Sequence, residues 1–575
     1  MSARDPGPAL LRTPRAWAAD ALILGSVAAA FYLLLTLAPR ELHRSIPSIT
    51  IDLRPSALPE YALLSLLRMI AAYIISLAFT LGVGYAAAHN AAAGRLIVPV
   101  LDVLQSIPVL SFLPTVLLAM IALFPGQTLG LELGSILLIF TGMVWNMAFS
   151  FYHSLLTIPE ELSEATRAFR LSPLRRLASL ELPASMIGLV WNSMMSWAGG
   201  WFFLMATEEF SLGKQSFTLP GLGSYLAEAA NKGNFTAIWW GLGTLVALIV
   251  ALDQLVWRPL IAWSEKFKVE LSEGQDVPRS WALNVLRDSA LLPACGRALR
   301  TISERVQEGR HAPTFPHPPA LRPARAALGR ALGWPAGLAA VALVLWGALS
   351  LLRLIAALPA GQWLVIGAGT GATLLRIIAA LSVSLLWTIP AGVAIGLHPR
   401  LARVAQPLAQ IAASVPATAV FPILLLLLIH VGGGLTIASI LLILLGTQWY
   451  VLFNAIAGAI ALPRDLLEAT EVMKVRGWAR WRTLILPGIF PHLVTGGITA
   501  QGGAFNASIV SEYVTFENKT LQTIGLGALI SAAAADANYP LLAAATASLA
   551  AIVVIWNRLF WRRAARLAEE RYHLG

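Results

Sequence analysis

The sequence predicts an all-α integral membrane protein of about twelve transmembrane helices, arranged as two parallel repeats of six. Three observations carry that prediction: the composition, the recurrence of apolar stretches long enough to cross a bilayer, and an internal duplication. Of 575 residues, 57% are hydrophobic and only 12% charged, with a mean hydropathy of +0.71. A soluble chain of this size needs far more charge on its surface.

Apolar stretches able to span roughly 30 Å of hydrocarbon recur along the chain. In the first half they are Ala18–Leu37, Leu63–Ala88, Ile97–Phe124, Leu133–Leu156, Ser185–Ala206 and Ala237–Trp257. In the second they are Ala336–Leu358, Leu374–Leu397, Val404–Ile429, Leu435–Ile460, Ile489–Val510 and Leu541–Leu559. Ala18–Leu37 is too long for the apolar part of a signal peptide and has no convincing cleavage site, so it reads as a first membrane helix. The single cysteine, Cys295, excludes a disulfide within the chain and a cysteine-based metal cluster.

The formal net charge of +11 sets topology rather than marking a nucleic-acid binder. Basic residues gather in the N-terminal arm (Arg4, Arg12, Arg15), in Lys266–Arg330 and in the tail (Arg558, Arg562, Arg563, Arg566, Arg571). An even number of crossings puts these three regions on one side, which the positive-inside rule makes the cytoplasm.

The duplication is read from constant offsets. Arg68 in LLRMIAA matches Arg376 in LLRIIAA, 308 residues on, and the same offset carries Ser106-Ile-Pro108 onto Ser414-Val-Pro416 and Pro114 onto Pro422. A small gap then resets the offset to 304. It carries Glu164-Ala-Thr166 onto Glu468-Ala-Thr470, Leu182-Pro183 onto Leu486-Pro487, Glu208 onto Glu512 and Gly221-Leu-Gly223 onto Gly525-Leu-Gly527. Each copy holds an even number of spans, so the repeats are parallel about an axis along the membrane normal, with the expected pathway between them. The first repeat covers residues 1–264, with its core from about residue 62, and the second covers 333–575. The polar connector 265–332 joins them; its stretch of helical spacing at Ser280–Gly309 reads first as part of a tether and second as a segment lying on the membrane surface or covering a partner.

After the fourth span of each half comes a charged segment with apolar residues at helical spacing, residues 159–183 and 463–487. Each opens with Pro and acidic residues, which suit a helix N-terminus. Each then turns basic before the next span. In both, eighteen residues separate the Glu from the closing Leu. These loops resemble the EAA loop of ABC-importer permeases of the MetI-like type: a Glu-Ala start, a Gly a few residues on and a closing Leu-Pro. Together with the Ser-x-Pro and Glu…Gly-Leu-Gly patterns, they are most similar to the nitrate, sulfonate, taurine and bicarbonate branch in its fused, duplicated form.

The resemblance implies several properties. The loops would be coupling helices docking two ABC ATPase subunits or domains, with Glu164, Ala165, Thr166 and Arg170, and Glu468, Ala469, Thr470 and Lys474, as the docking positions. ATP and Mg would be bound by the partner ATPase, with no cofactor or metal in this chain. An extracytoplasmic binding protein would deliver a small solute, an anion by the branch, across the bacterial inner membrane by alternating access. The N- and C-termini would be cytoplasmic. Two departures stand out. The third motif residue is Thr in both copies, and the Gly is replaced by Arg170 and Lys474, which bears on the bend between the two short helices. Leu271-Ser-Glu-Gly-Gln275 is close to the signature of an ABC ATPase, but the chain has no GxxxxGK loop followed by Ser or Thr to cradle phosphate, so ATP hydrolysis belongs on another polypeptide.

Candidates for the pathway are fewer. Glu208 and Glu512 fall at the outer end of the fifth spans, as a gate or as partners of a basic group. Trp197 and Trp201 stand against Gln501 and Asn506 in the other half, either lining the pathway or packing between helices. Ser106, Pro108, Ser414 and Pro416 read as helix-interior proline segments that permit kinks. Arg68 and Arg376 are placed near the start of the second spans, to attract an anion or, more commonly, to snorkel to the interface.

Two other classes compete. An ion- or proton-coupled secondary transporter of six-plus-six design asks for membrane-embedded relays and a charged second loop, whereas HNAAAGR and HPRLAR are short and carry no acid. An integral-membrane enzyme asks for clustered His, Asp or Glu, and the nine histidines are scattered without metal-binding spacing.

Overall fold

The computed structural model describes residues 49–125, 127–212, 215–267, 345–428, 434–516 and 519–571, with positions 29, 32 and 342. The span Ala18–Leu37, apart from two positions, and the connector beyond Phe267, including Ser280–Gly309 and Leu271–Gln275, lie outside the described residues.

The first repeat begins with α1 (Leu58–His89), which has Pro and Glu60 in its opening turn, as the exposed amides of a helix N-terminus favour. Asn90 leaves the helix in extended conformation, and its side chain accepts hydrogen bonds from the Ala92 and Ala93 amides at 2.9 and 3.2 Å. It thereby caps α2 (Ala91–Ser106). A short turn leads to α3 (Leu113–Leu123) and then α4 (Leu129–Leu156). The loop after α4 holds α5 (Glu160–Ala168) and α6 (Pro173–Arg176). It is followed by α7 (Leu182–Glu208), the hairpin β1 (Glu209–Leu212) and β2 (Gln215–Thr218), α8 (Leu222–Asn231), α9 (Phe235–Leu252) and α10 (Arg258–Ser264).

The second repeat follows the same order. After a helical segment Leu345–Ala356 come α11 (Ala360–Leu397), α12 (Pro399–Ser414), α13 (Ala417–Leu428), α14 (Gly434–Ile460), α15 (Arg464–Val472), α16 (Gly477–Arg480) and α17 (Leu486–Ser511). The hairpin β3 (Tyr513–Phe516) and β4 (Lys519–Gln522) then leads to α18 (Leu526–Ala535), α19 (Tyr539–Trp556) and α20 (Arg562–Arg571). Among the described residues, seven helical segments are long and apolar enough to cross a membrane, or eight if a bent pair is one span.

That bent pair corrects the sequence expectation for the third spans. Ile97–Phe124 and Val404–Ile429 are not continuous helices, and Pro108 and Pro416 are not helix-interior. The residue before proline is driven out of the helical region; Ile107 and Val415 accordingly sit at φ −86°, ψ 123° and φ −75°, ψ 117°. The helices end at Ser106 and Ser414, and the second copy restarts at Ala417 with a 78° bend.

In each repeat a central helix, α4 or α14, packs between α1 and α7 or between α11 and α17. Leu138, Ile139, Met143, Met147 and Phe151 of α4 are fully buried, the last four at the four-residue spacing of one helix face. Repeat-matched hydroxyl pairs cross the same interfaces, Ser135 to Thr207 at 2.8 Å and Ser439 to Ser511 at 2.7 Å. Such bonds help hold helices together where lipid removes the hydrophobic drive for association. Outward faces stay apolar, with Leu67, Ile74, Leu364, Leu375 and Leu386 exposed, as hydrocarbon solvent requires. α8 touches β3 and α18 touches β1, so both hairpins lie at one end of the molecule and the repeats are parallel. At the opposite end, α7, α9, α17 and α19 are each joined to a five-residue π-helical segment: Leu177–Glu181, Asp253–Trp257, Trp481–Ile485 and Asn557–Trp561.

Candidate functional site

Both charged loops fold as two short helices joined by one sharp turn. In the first, Arg170, two residues beyond the end of α5, sits at φ 49°. The Arg170 amide donates to the Arg167 carbonyl at 2.9 Å and the Leu171 amide to the Thr166 carbonyl at 3.1 Å. In the second, Lys474 has φ 55°, with its amide on Glu471 at 3.1 Å and the Val475 amide on Thr470 at 2.8 Å. This pair of bonds around a left-handed residue is the Schellman ending of a helix, where Gly is favoured because it carries no Cβ. The departure from Gly therefore keeps the bend, with a basic side chain held in left-handed conformation.

The Thr at the third motif position is satisfied locally: Thr166 and Thr470 donate to the carbonyls of Ser163 and Leu467, both at 2.7 Å. Glu164, Ala165, Glu468 and Ala469 are exposed. The same loops expose apolar side chains at matched positions: Phe169 (78% exposed) with Met473, and Leu174 with Trp478 (72% exposed). Sequence reasoning missed these four, although their matched positions and size were the available signal.

The first loop is tied to the body at Glu181. Its buried carboxylate lies 2.8 Å from His89 Nε2, at the end of α1, and 2.7 Å from Arg176 Nε. Ile485 occupies the matched position in the second copy, where Arg480 instead lies 3.7 Å from Glu471.

At the hairpin end, the matched acids and arginines meet. Arg68 Nη1 donates to Glu208 Oε1 at 2.7 Å, and Arg376 Nη1 donates to Glu512 Oε1 at 2.8 Å. Both arginines are buried, so neither snorkels to an interface. Each Glu also caps a helix. Glu208 accepts from the Gly223 amide at 2.6 Å while Ser65 accepts from Leu222 at 2.9 Å. In the second copy Glu512 accepts from Gly527 at 2.8 Å and Thr373 from Leu526 at 2.8 Å. These bonds satisfy the orphan amides at the start of α8 and α18. A Cβ on Gly221 or Gly525 would run into the carboxylate of Glu208 or Glu512, which is the physical reason for Gly there.

Several of the remaining candidates lie where the repeats meet. Trp197 and Trp201 are buried and pack edge-to-face on each other, and Trp197 also meets Tyr73 and Trp257. A small cavity beside them is closed by Gln410 and Ser414 of the second repeat and by Asp253. Gln501 accepts from the Trp561 indole. Asn506 accepts from the Leu110 amide at 3.2 Å across the repeats. Pro108 and Pro416 are buried at the helix breaks, two residues after Ser106 and Ser414. The structure thus brings Trp197, Trp201 and Ser414 to one cavity and keeps Glu208 and Glu512 apart in separate ion-pair clusters.

Two tandem MetI-type copies, each with an exposed loop at one end and a buried ion pair at the other, define a duplicated membrane permease. The sequence model of the binding-protein-dependent transport system inner membrane component family matches residues 78–256 and 388–566, and the chain belongs to that family. It is 31% identical over 163 residues to the taurine transport system permease protein TauC of Escherichia coli (strain K12), covering 28% of this chain and 55% of the relative. It is 29% identical over 154 residues to the riboflavin transport system permease protein RibX of Chloroflexus aurantiacus, covering 27% and 54%. It is 27% identical over 145 residues to the bicarbonate transport system permease protein CmpB of Synechocystis sp., covering 25% and 50%. The matched segments span about half the length of these curated relatives.

Proposed function

We propose that this chain is the membrane-spanning subunit of an ATP-driven importer. It takes a small solute from an extracytoplasmic binding protein and passes it between the two repeats by alternating access. Two partner ATPases, which carry ATP and Mg, dock on residues 159–183 and 463–487. The observation that supports this best is the pair of loops with matching Schellman turns, each exposing Glu164 or Glu468 and large apolar side chains. A loop that only linked two spans has no need of exposed Phe, Met and Trp. The loops and termini are then cytoplasmic, in keeping with the basic tail, and the hairpins face the binding protein. Relatives named for taurine and bicarbonate favour an anion as the solute.

The purified chain is expected to hydrolyse no ATP by itself and to co-purify with its companion ATPase. Glu164→Arg combined with Glu468→Arg is expected to abolish that association without loss of the folded permease. Unchanged association in a folded double variant overturns the docking assignment.

A further inference from the structure

The two ion-pair clusters at the hairpin end differ in one respect. In the first repeat the Arg68 guanidinium is satisfied on both edges. Nη1 serves Glu208 and the Pro220 carbonyl, at 2.7 and 2.8 Å. Nε and Nη2 form a fork with the two oxygens of Glu132, both at 2.6 Å. Glu132 stands in the first turn of α4, where the helix N-terminus favours negative charge.

The matched residue in the second repeat is Thr436, in the first turn of α14. Arg376 keeps its bond to Glu512 but has no second carboxylate among the described residues. Its Nη2 donates to Thr523 Oγ1 at 2.9 Å, and that hydroxyl lies 3.1 Å from Thr436 Oγ1. Its Nε is buried and donates to nothing among the described residues, although Arg376 is only 6% exposed. A buried charged N–H without an acceptor is costly, and the fork edge of a guanidinium is shaped for a planar or monatomic anion. Thr436, whose hydroxyl meets that of Thr523 beside this edge, is exposed to the surroundings of the hairpin end.

We propose that Arg376 Nε and Nη2, the Thr436 and Thr523 hydroxyls and the first turn of α14 bind a small monovalent anion, chloride or a formate-sized carboxylate. It takes the place that the Glu132 carboxylate fills in the first repeat. Arg68 is shared between two carboxylates, and a bound anion gives Arg376 the same charge balance. The site lies within one repeat, apart from the cavity between repeats and from the loops, and does not depend on the transport reading.

The test is the unfolding temperature of the full-length chain in detergent as chloride replaces gluconate at constant ionic strength, with formate as a second probe. The wild-type chain is expected to show a saturating rise on the order of 2 °C, as ligand binding to the folded state alone produces. Thr436→Glu installs the carboxylate that the first repeat already has, and is expected to abolish the response. Thr436→Val, which removes the hydroxyl without adding charge, is expected to weaken it and keeps the test open should the Glu variant fold poorly. A wild-type chain that does not respond, or a response undiminished in the folded variants, overturns the proposal.

Discussion

Arg68 and Glu208, 140 residues apart in sequence, meet at 2.7 Å in the buried hairpin end of the first repeat, and Arg376 and Glu512 repeat the contact at 2.8 Å. In each case the carboxylate also holds the first amides of the helix that follows the hairpin. The ion pair therefore fixes three elements at once: the second span, the end of the fifth, and the short helix beyond it.

Removing one member of a buried pair leaves the other charged and unpaired, at a cost of about 3–5 kcal/mol. Arg68→Ala is expected to destabilise more than Arg376→Ala, because it strands both Glu208 and Glu132 rather than Glu512 alone. Thermal unfolding of the two variants in detergent checks the order. Equal losses would show that Glu132 adds nothing.

Gly221→Ala and Gly525→Ala push a methyl group into the same carboxylates. Overpacking of this kind costs roughly 1–3 kcal/mol. The loss is expected in both repeats, read as reduced unfolding temperature. A neutral substitution at either position would contradict the close approach described.

Arg170→Gly and Lys474→Gly relieve a side chain held at positive φ and are expected to stabilise the turn by about 1 kcal/mol or less. Hydrogen exchange at the Leu171 and Val475 amides, which close the turns, should slow by about fivefold at most. Arg170→Val, β-branched and poorly suited to that region, should speed it.

Glu209 begins the hairpin, outside the spanning helices. Burial, followed by the nearby Glu228 charge, pushes its carboxyl up to about 7, with the Asn231 side chain opposing. A carboxyl whose folded value lies above its unfolded one is held better protonated, so its contribution to stability falls as pH rises from about 4.5 to about 7. Glu209→Gln is expected to remove this part of the pH dependence. Wild-type and variant unfolding temperatures between pH 5 and pH 8 give the comparison, and parallel profiles would contradict it.

The duplication, the parallel orientation and the two loops are legible in the sequence because matched residues keep their register over hundreds of positions. Proline rules identify Pro108 and Pro416 as sites of bending, but they do not single them out as breaks, because Pro99, Pro390, Pro407, Pro422 and Pro491 stay inside continuous helices. Arg68 and Glu208 were each visible as charges in apolar surroundings. Their specific pairing was not, because it joins the ends of two spans 140 residues apart in sequence. Sequence rules set the Gly-to-basic change at Arg170 and Lys474 against the bend. The backbone keeps it because two hydrogen bonds and the flanking helices outweigh a strain of about 1–2 kcal/mol.

The docking of ATPases on both loops is the central claim. Its most direct test places Glu164→Cys or Glu468→Cys in a Cys295→Ser background and cross-links each to the co-expressed companion ATPase, with Thr218→Cys in the hairpin as the opposite-face control. Cross-links from positions 164 and 468, and none from position 218, are predicted. Cross-links confined to the hairpin, or absent from both loops in an assembled complex, would contradict the account.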